Sequence, residues 1–311
     1  MGRLDGKVAI ITGAGRGQGQ AAASLFAGEG ARVVVSDVNV EGGEATVRQI
    51  REAGGEAVFQ AADVSKAADV EALVEAAVAA YSGVHVLYNN AAIWSGRELD
   101  NYVTELTEDG WDRVLSINLK GVFLCCKYGI PAIISTGGGS VINTASVAGI
   151  AGSRNRSHAY SASKGGVVAM TRAMAVAYAR DQVRVNAICP GGVDTPMIAP
   201  MINTEERRQR SAASHPIGRM GTPEDIAYFA LYLASDESSW GPVACSQLMA
   251  DLPPNRDIHK AGFDLTLMAV SSMLVRHDMQ ITGSHRDGVI NQKSLSSAFV
   301  VGVADVERRR R

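Results

Sequence analysis

Short runs of apolar, often β-branched residues alternate with helix-length, Ala-rich segments along most of the chain. The runs include residues 8–11, 33–35 and 141–143. Continuous apolar strands of this kind are buried on both faces of a parallel sheet and are joined by crossover helices. The pattern therefore predicts an α/β fold: a single Rossmann-type, doubly wound parallel sheet with helices on both faces.

The remaining elements follow the same alternation. A further strand is predicted at 183–188, and helices are predicted near 17–29, 41–53, 108–134 and 160–179. After 190–192 the chain becomes loop-like and then rich in methionine, which predicts a mobile lid over a pocket.

The composition fits one large domain and excludes several classes of partner. The chain has 311 residues, of which 46% are hydrophobic and 20% charged, and a formal net charge of -2. Positive and negative side chains are mixed, so nothing indicates nucleic acid or an anionic membrane as a partner. The N-terminus lacks an apolar leader and no segment is expected to cross a bilayer, which predicts a cytoplasmic protein.

Four cysteines are spread along the chain without the spacing of a metal site or a redox pair. Two of them are neighbours, which can hardly bridge each other. We expect reduced thiols and no metal; the four are Cys125, Cys126, Cys189 and Cys245.

A glycine-rich turn at 12–19 follows the first strand and opens a helix. Glycines let the backbone approach a pyrophosphate, which the exposed N–H groups and the positive helix end then stabilise. Such turns also occur without a ligand, so the context decides. The predicted dinucleotide contacts are Thr12, Gly13, Arg16, Gly17, Gln18 and Gly19.

Two charged residues point to different dinucleotides. Asp37, at the end of the second strand, can accept hydrogen bonds from ribose hydroxyls and repels a ribose phosphate. Arg16 can instead pair with that phosphate. We give Asp37 more weight, because its repulsion is local while an arginine can turn to solvent. NAD is therefore the expected cofactor, and NADP stays open.

Polar residues after the third and fourth strands can complete the cleft. Asp63 and Val64 are predicted to contact the adenine. The run Asn89-Asn90-Ala91-Ala92 is predicted to line the cleft. Asp63 could equally cap the following helix, and the asparagines could be turn residues.

Tyr160 and Lys164 are four residues apart, hence on one face of a helix. A nearby ammonium stabilises a phenolate, so we expect it to lower the pKa of Tyr160 and make the phenol a usable acid and base. Ser146, after the fifth strand, could bind the substrate oxygen, and Asn118 could bind a water that relays protons from Lys164. A Tyr-x-x-x-Lys pair alone arises freely on helices.

Taken together and in order, these residues resemble the short-chain dehydrogenase/reductase family, over about residues 5 to 240. Gln18 departs from the Ile or Leu that many members carry. The resemblance implies that Lys164 also holds the nicotinamide ribose and that Val193 and Thr195 contact the nicotinamide carboxamide. It also implies a homo-oligomer, a tetramer or a dimer, if the C-terminal edge is intact. The matching residues also include Pro190 and Gly191, and the implied catalytic tetrad is Asn118, Ser146, Tyr160 and Lys164.

The resemblance implies an NAD(P)-dependent oxidoreductase that interconverts a secondary alcohol and a ketone, with Tyr160 as acid and base. One alternative is an NADPH-dependent carbonyl reductase like the 3-oxoacyl-carrier-protein reductases. Another is a dinucleotide-binding scaffold without turnover, against which an intact tetrad speaks. The expected partner is a small-molecule alcohol or ketone.

A small cyclic or aliphatic secondary alcohol is the preferred substrate class. Trp94, Met197, Ile198, Met201 and Ile202 could build an apolar pocket. Arg154, Arg156 and His158 could meet a polar group. Each of these residues could equally belong to the core or to a solvated loop.

The alternation ends near Trp240, so we divide the chain into a dehydrogenase domain at 1–240 and an atypical tail at 241–311. Family members usually end in a last strand and Asp-Gly-Gly. When the possible codons for 241–252 are read in a frame shifted by two bases, they can encode Thr-Gly-Gly-Val-Leu-Pro-Ala-Asp-Gly-Gly, which is such an ending. We therefore hypothesise that a one-base deletion put the tail out of frame, with poor packing from about 255 onward; a genuine extension ending in the basic run 308–311 is the alternative.

Overall fold

The computed structural model describes residues 2–94, 99–151 and 157–239. Six parallel strands form one sheet in the order β3-β2-β1-β4-β5-β6. The strands are β1 Val8–Thr12, β2 Arg32–Asp37, β3 Glu56–Ala61, β4 Val86–Asn89, β5 Gly139–Thr144 and β6 Val183–Ile188. The predicted doubly wound fold is confirmed.

Helices cover both faces of this sheet. The helices are α1 Gly17–Gly28, α2 Val40–Glu52, α3 Ala67–Tyr81, α4 Glu108–Leu115, α5 Gly121–Ser135, α6 His158–Ala177, α7 Glu205–Ser214 and α8 Pro223–Ala234. One hydrophobic core packs α3, α5 and α6 against the sheet, and the other packs α1, α2 and α8. The inner strands are therefore buried on both faces, which explains their continuous apolar sequences; the edge strand β3 is only partly buried.

The chain reverses its direction across the sheet between β1 and β4. From β1 the order runs outward through β2 and β3 on one side, and through β4, β5 and β6 on the other. The carboxyl ends of β1 and β4 therefore border a crevice, which is where open α/β sheets bind ligands. Thr12 and Asn89 end these two strands.

The predicted helix at 108–134 exists but contains an irregularity. Residues Ser116–Lys120 between α4 and α5 form a π-helical turn. A π-turn rotates the helical face by its extra residue. Asn118 lies in this turn and is fully buried.

The same helix corrects one expectation. Glu108–Ser135 has 28 residues and a mean hydropathy of 1.4 over an 18-residue window, so by length and composition alone it could cross a membrane. Half of that window is buried inside the fold. A helix that packs in a core shows the same apolar composition.

The predicted lid region is more ordered than a loop. Helix α7 begins after Thr204, whose side chain accepts the N–H of Arg207. Three cysteines lie among the described residues, Cys125, Cys126 and Cys189; all three are buried and none forms a disulfide there. Cys245 lies outside the described residues.

Candidate active site

A cleft of about 440 Å³ opens at the carboxyl ends of the strands. Most of the residues predicted to contact a dinucleotide or substrate line it. These are Gly13, Arg16, Gly17, Gln18, Asp37, Asp63, Val64, Asn90, Ala91, Ser146, Tyr160, Lys164, Pro190, Gly191, Val193, Thr195, Met197 and Ile198.

The glycine-rich turn has the conformation that close approach of a ligand requires. Gly13 and Gly17 have φ values of 64° and 59°, which a residue with a Cβ rarely adopts. A Cβ on Gly17 would point across the cleft, 3.6 Å from Thr195. A Cβ on Gly19 would lie 2.3 Å from the carbonyl oxygen of Gly13. Gly19 thus permits the turn to pack and does not itself line the cleft.

Thr12 supports the same turn from behind. It is buried, and its hydroxyl accepts the N–H groups of Asn90 and Ala91, both at 3.1 Å. The amide of Asn90 donates to the carbonyls of Thr12 and Gly13, again at 3.1 Å. The ends of β1 and β4 are thereby joined. Asn89, which was expected in the cleft, is buried and donates to Asn143 at 2.8 Å.

Asp37 is held in place at the end of β2. One carboxylate oxygen accepts the N–H of Gly15 at 2.9 Å and the other accepts the N–H of Asn39 at 2.9 Å. Arg16 lines the same cleft, and its side chain forms no hydrogen bond or ion pair with the described residues. The fixed charge in this part of the cleft is therefore negative.

Asp63 both lines the cleft and initiates the turn before α3. It accepts the N–H of Ser65 at 3.0 Å and the Ser65 hydroxyl at 2.7 Å. Burial alone would raise the pKa of Asp63, but the hydrogen bonds from Ser65 and the charge of Lys66 leave it lowered. Asp63 thus stabilises the turn before α3 and does not cap the helix itself, whose N-cap is Lys66; its contact with the adenine stays a prediction.

Tyr160, Lys164 and Ser146 meet at the inner end of the cleft. The ammonium of Lys164 lies 5.6 Å from the centroid of the Tyr160 ring and donates to the carbonyl of Thr144 at 2.6 Å. The Ser146 hydroxyl accepts the N–H of Ala148 at 3.2 Å and lies near enough to the Tyr160 phenol to affect its pKa. This is the predicted juxtaposition of phenol, ammonium and hydroxyl.

The ionisation of this group differs from the expectation. Burial raises the pKa of Tyr160, and the hydrogen bond from Ser146 lowers it by less. Burial also lowers the pKa of Lys164 to about 8, against a smaller opposing effect of Cys189. Desolvation thus disfavours the charged form of both groups. The expected lowering of the tyrosine pKa was wrong for this reason.

Asn118 is placed differently from its predicted water-binding role. Its side chain accepts the N–H of Ile93 at 2.8 Å and donates to the carbonyl of Ile93 at 2.9 Å. It also donates to the Ser163 hydroxyl at 3.3 Å. The side-chain amide therefore anchors the segment after β4 to α6 and does not line the cleft. A water relay would have to use the backbone of Asn118.

The loop after β6 closes one side of the cleft and is tied to α7. The N–H of Gly192 donates to Nε2 of His215 at 3.0 Å, and Nδ1 of His215 lies 2.7 Å from the carbonyl of Ser211. Asp194 forms an ion pair with Arg208 at 2.5 Å. The predicted lid thus rests on helix α7 through both contacts.

The predicted apolar pocket is reached in part. Met197 and Ile198 line the cleft, whereas Ile202 is buried in the fold. Met201 is 41% exposed, and the indole N–H of Trp94 donates to the Ser157 hydroxyl at 2.9 Å. Neither Met201 nor Trp94 lines the cleft.

His158, one of the three residues proposed to meet a polar group, does not line the cleft. Nδ1 of His158 accepts the N–H of Val103 at 2.9 Å. Arg154 and Arg156 lie outside the described residues.

Sequence reasoning missed several lining residues, among them Ile93, Arg113 and Ile117. Arg113 and Ile117 are four residues apart before Asn118, so helical spacing would have placed them on one face. Ile93 simply continues the Asn-Asn-Ala-Ala run beyond the point where a motif is visible.

The cleft fits a dinucleotide. Its glycines leave backbone exposed at the helix start, Asp37 is fixed where ribose hydroxyls would bind, and the space extends along the strand ends to Tyr160.

The comparisons with known proteins agree with this geometry. The family model described as Enoyl-(Acyl carrier protein) reductase matches residues 13–251. The chain is 41% identical to the cyclohexanol dehydrogenase of Acinetobacter sp. (strain SE19), covering 80% of this chain and 95% of that protein. It is 38% identical to the 3-oxoacyl-[acyl-carrier-protein] reductase FabG of Thermotoga maritima, covering 76% and 94%.

A solved structure shows the same fold. The crystal structure of levodione reductase superimposes with a TM-score of 0.75 and 35% sequence identity. The match covers 79% of this chain and 96% of levodione reductase.

Proposed function

The chain belongs to the short-chain dehydrogenase/reductase family, and from that premise we propose that it oxidises a small, uncharged secondary alcohol with NAD, using Tyr160 as acid and base. As a family member it is an NAD(P)-dependent oxidoreductase that acts on CH–OH donors and interconverts a secondary alcohol and a ketone. The cofactor preference, the substrate class and the roles of the residues are the proposal.

The observation that carries the NAD preference is the fixed carboxylate of Asp37. Both its oxygens already accept backbone N–H groups, so the side chain cannot turn away from an incoming ribose phosphate without losing those bonds. Arg16 makes no such contact among the described residues and is free to leave. Charge repulsion at Asp37 therefore outweighs the attraction that Arg16 offers.

The glycine-rich turn with Gln18 would hold the pyrophosphate, Asp37 the adenosine ribose, and Asp63 with Val64 the adenine. Asn90, Ala91, Tyr160 and Lys164 would hold the nicotinamide ribose. Pro190, Gly191, Val193 and Thr195 would border the nicotinamide. When bound, the dinucleotide supplies the two-electron acceptor or donor.

The protein's own residues position the alcohol and move its proton. Ser146 donates to the substrate oxygen and holds it beside the phenol. Tyr160 takes the hydroxyl proton in oxidation and returns it to the oxygen in reduction. Lys164 is held on the Thr144 carbonyl. In its protonated form it lies close enough to the Tyr160 phenolate to stabilise it. Asn118 keeps Ile93 and Ser163 in register around this group.

The substrate class follows from the apolar part of the cleft and from the relatives. Ile93, Met197 and Ile198 line the same cleft as Ser146 and Tyr160, and they offer contact area without a charge. Cyclohexanol dehydrogenase is named for a small, neutral, cyclic secondary alcohol. A cyclic or short aliphatic secondary alcohol fits both observations.

A second candidate is an NADPH-dependent 3-oxoacyl or carbonyl reductase. It is favoured by Arg16, which lines the cleft with no ion pair among the described residues, and by the similarity to a 3-oxoacyl-[acyl-carrier-protein] reductase.

We further propose that the protein acts in the cytoplasm as a homo-oligomer. Exposed apolar side chains on one helix, at Trp111, Phe123 and Ile134, provide a surface for association.

The test is an assay of the purified full-length protein by absorbance of the reduced nicotinamide. The panel contains NAD or NADP with cyclohexanol or an open-chain secondary alcohol, and NADPH with a 3-oxoacyl thioester. We expect turnover of an alcohol with NAD. Turnover confined to the thioester with NADPH would replace the proposal with the second candidate.

A further inference from the structure

Helix α6, which carries Tyr160 and Lys164, begins without a cap of its own. The residue before the helix, Ser157, makes no side-chain hydrogen bond to the first turn, and that turn contains no acidic residue. Four other helices are capped locally by Asn39, Thr107, Thr204 and Thr222. The first N–H groups of a helix need acceptors from some other source when no local cap is present.

A carboxylate from a distant segment supplies these acceptors. Oδ1 of Asp100 accepts the N–H of Ala159 at 3.0 Å, and Oδ2 accepts the N–H of Tyr160 at 2.8 Å. Asp100 precedes Tyr160 by 60 residues and its side chain is only 2% exposed. A buried carboxylate is costly unless it is hydrogen-bonded, and both oxygens here are. Its charge also lies at the positive end of the α6 dipole.

Residues on either side of Asp100 contact the two residues that precede Ala159. The Trp94 indole donates to the Ser157 hydroxyl, and the N–H of Val103 donates to His158. The start of α6 is therefore held residue by residue to the segment that follows β4. Of these contacts, the bond to the Tyr160 N–H is the one made to the catalytic residue itself.

We propose that Asp100 is a positioning residue for the proton transfer: it caps α6 from outside and fixes the turn that aims the Tyr160 phenol at the substrate oxygen. The proposal rests on the proposed role of Tyr160. Its physical basis is that a small error in the position of an acid or base lowers the rate strongly. Asp100 itself touches no reacting atom.

The first experiment is Asp100→Asn, which keeps the shape of the side chain and turns one acceptor into a donor that faces an N–H group. In the protein without added cofactor, we expect hydrogen exchange at the Ala159 and Tyr160 amides to accelerate by about tenfold or more. With NAD and alcohol, we expect kcat to fall by roughly 10- to 100-fold. The Kd for NAD should stay within about twofold of wild type, because the glycine turn and Asp37 are unchanged.

A solvent deuterium isotope effect separates positioning from stability. Misplacement of Tyr160 makes proton transfer slower relative to the other steps, so the isotope effect on kcat should rise in Asp100→Asn. A smaller folded fraction would lower kcat and leave the isotope effect unchanged. The matched control is Thr222→Ala, which removes a cap from α8, outside the cleft, at a typical cost of about 1 kcal/mol; its isotope effect should equal that of wild type.

A rescue variant completes the test. It also keeps the proposal testable if Asp100→Asn alone folds poorly. Ser157→Asp in the Asp100→Asn background places a carboxylate at the N-cap, where it can accept the N–H groups of the second and third helical residues, Ala159 and Tyr160. We expect exchange protection and the wild-type isotope effect to return together.

Restored protection without a restored isotope effect would overturn the proposal, and so would an Asp100→Asn enzyme that behaves like Thr222→Ala. An absence of alcohol turnover in wild type would instead contradict the proposed function, while the exchange measurement would still report on the cap.

Discussion

Lys164 lies 5.6 Å from the centre of the Tyr160 ring and donates a 2.6 Å hydrogen bond to the carbonyl of Thr144, the last residue of β5. The bond fixes the ammonium between the helix that carries the tyrosine and the strand that leads to Ser146. One backbone carbonyl thus sets the distance between the charge and the phenol. The first predictions concern these groups.

Tyr160→Phe should abolish turnover, by about 10²–10⁴-fold or more, because it removes only the hydroxyl that accepts and returns the proton. Binding of NAD, measured by quenching of protein fluorescence, should remain within a few-fold of wild type. Tyr228→Phe, at a tyrosine that is 60% exposed, is the matched control and should keep full activity. Substantial activity in Tyr160→Phe would contradict the mechanism.

Lys164→Met should lower both the rate and the affinity for NAD, and it should also change the dependence of stability on pH. Burial lowers the pKa of Lys164 from 10.5 to about 8, so the unfolded state binds more protons between these values. Stability from this group therefore rises with pH across that window, by on the order of 3 kcal/mol.

The measurement is the free energy of unfolding by urea for wild type and Lys164→Met from pH 7 to 10. The free energy of unfolding of wild type should increase relative to that of the variant above about pH 8, and not below it. Lys120→Met, at an exposed lysine of the same long helix as Asn118, controls for the loss of a charge as such. A constant difference in free energy of unfolding between wild type and Lys164→Met across the range would show that burial does not disfavour the charged form of Lys164.

Much of this site follows from the sequence, for identifiable reasons. Strands buried on both faces leave continuous apolar runs, and the glycine turn at 12–19 is local, so both can be seen within a few residues. The pairing of Tyr160 with Lys164 needs only the helical repeat.

Other features have no local signal. The bond from Asp100 to Tyr160 joins segments 60 residues apart, and Asp100 belongs to no motif. The π-turn at Ser116–Lys120 breaks the 3.6-residue period on which sequence reasoning relies, so the contacts of Asn118 with Ile93 were not foreseen. The pKa of Tyr160 depends on burial, which the spacing of Tyr160 and Lys164 does not reveal.

Asp37→Asn should shift the cofactor preference from NAD towards NADP. The substitution removes the charge that repels a ribose phosphate and keeps one oxygen to accept the N–H of Gly15 or Asn39. We expect the ratio of kcat/KM for NAD to that for NADP to fall by roughly 10-fold or more, since each 1.4 kcal/mol is a factor of ten.

Asp63→Asn, at the other carboxylate that lines the cleft, is the control for charge in general and should change the ratio much less. A wild-type protein that already prefers NADP would show that Arg16 outweighs Asp37.

The last prediction concerns the free edge of β6. Among the described residues this strand pairs only with β5, and a groove of about 390 Å³ borders it, lined in part by Val183, Val185, Ala175 and Ala179. An unpaired strand edge favours the addition of another strand. The family model matches up to residue 251, whereas the chain continues to 311.

We therefore expect the coding DNA after the Trp240 codon, with its codons regrouped by two bases, to spell Thr-Gly-Gly-Val-Leu-Pro-Ala-Asp-Gly-Gly. A stop codon should follow near the junction of Pro254 and Asn255.

A protein in which that ending replaces residues 241–311 should be more stable than the present chain, because the added strand satisfies the open edge of β6. A gain of about 2 kcal/mol would raise the melting temperature by roughly 4–8 °C in a domain of this size. A chain truncated after Ser239 is the control and should not gain. Sequencing decides first: a shifted frame without the Asp-Gly-Gly ending rules the frameshift out, and an unchanged melting temperature with that ending present would show that the edge of β6 needs no further strand.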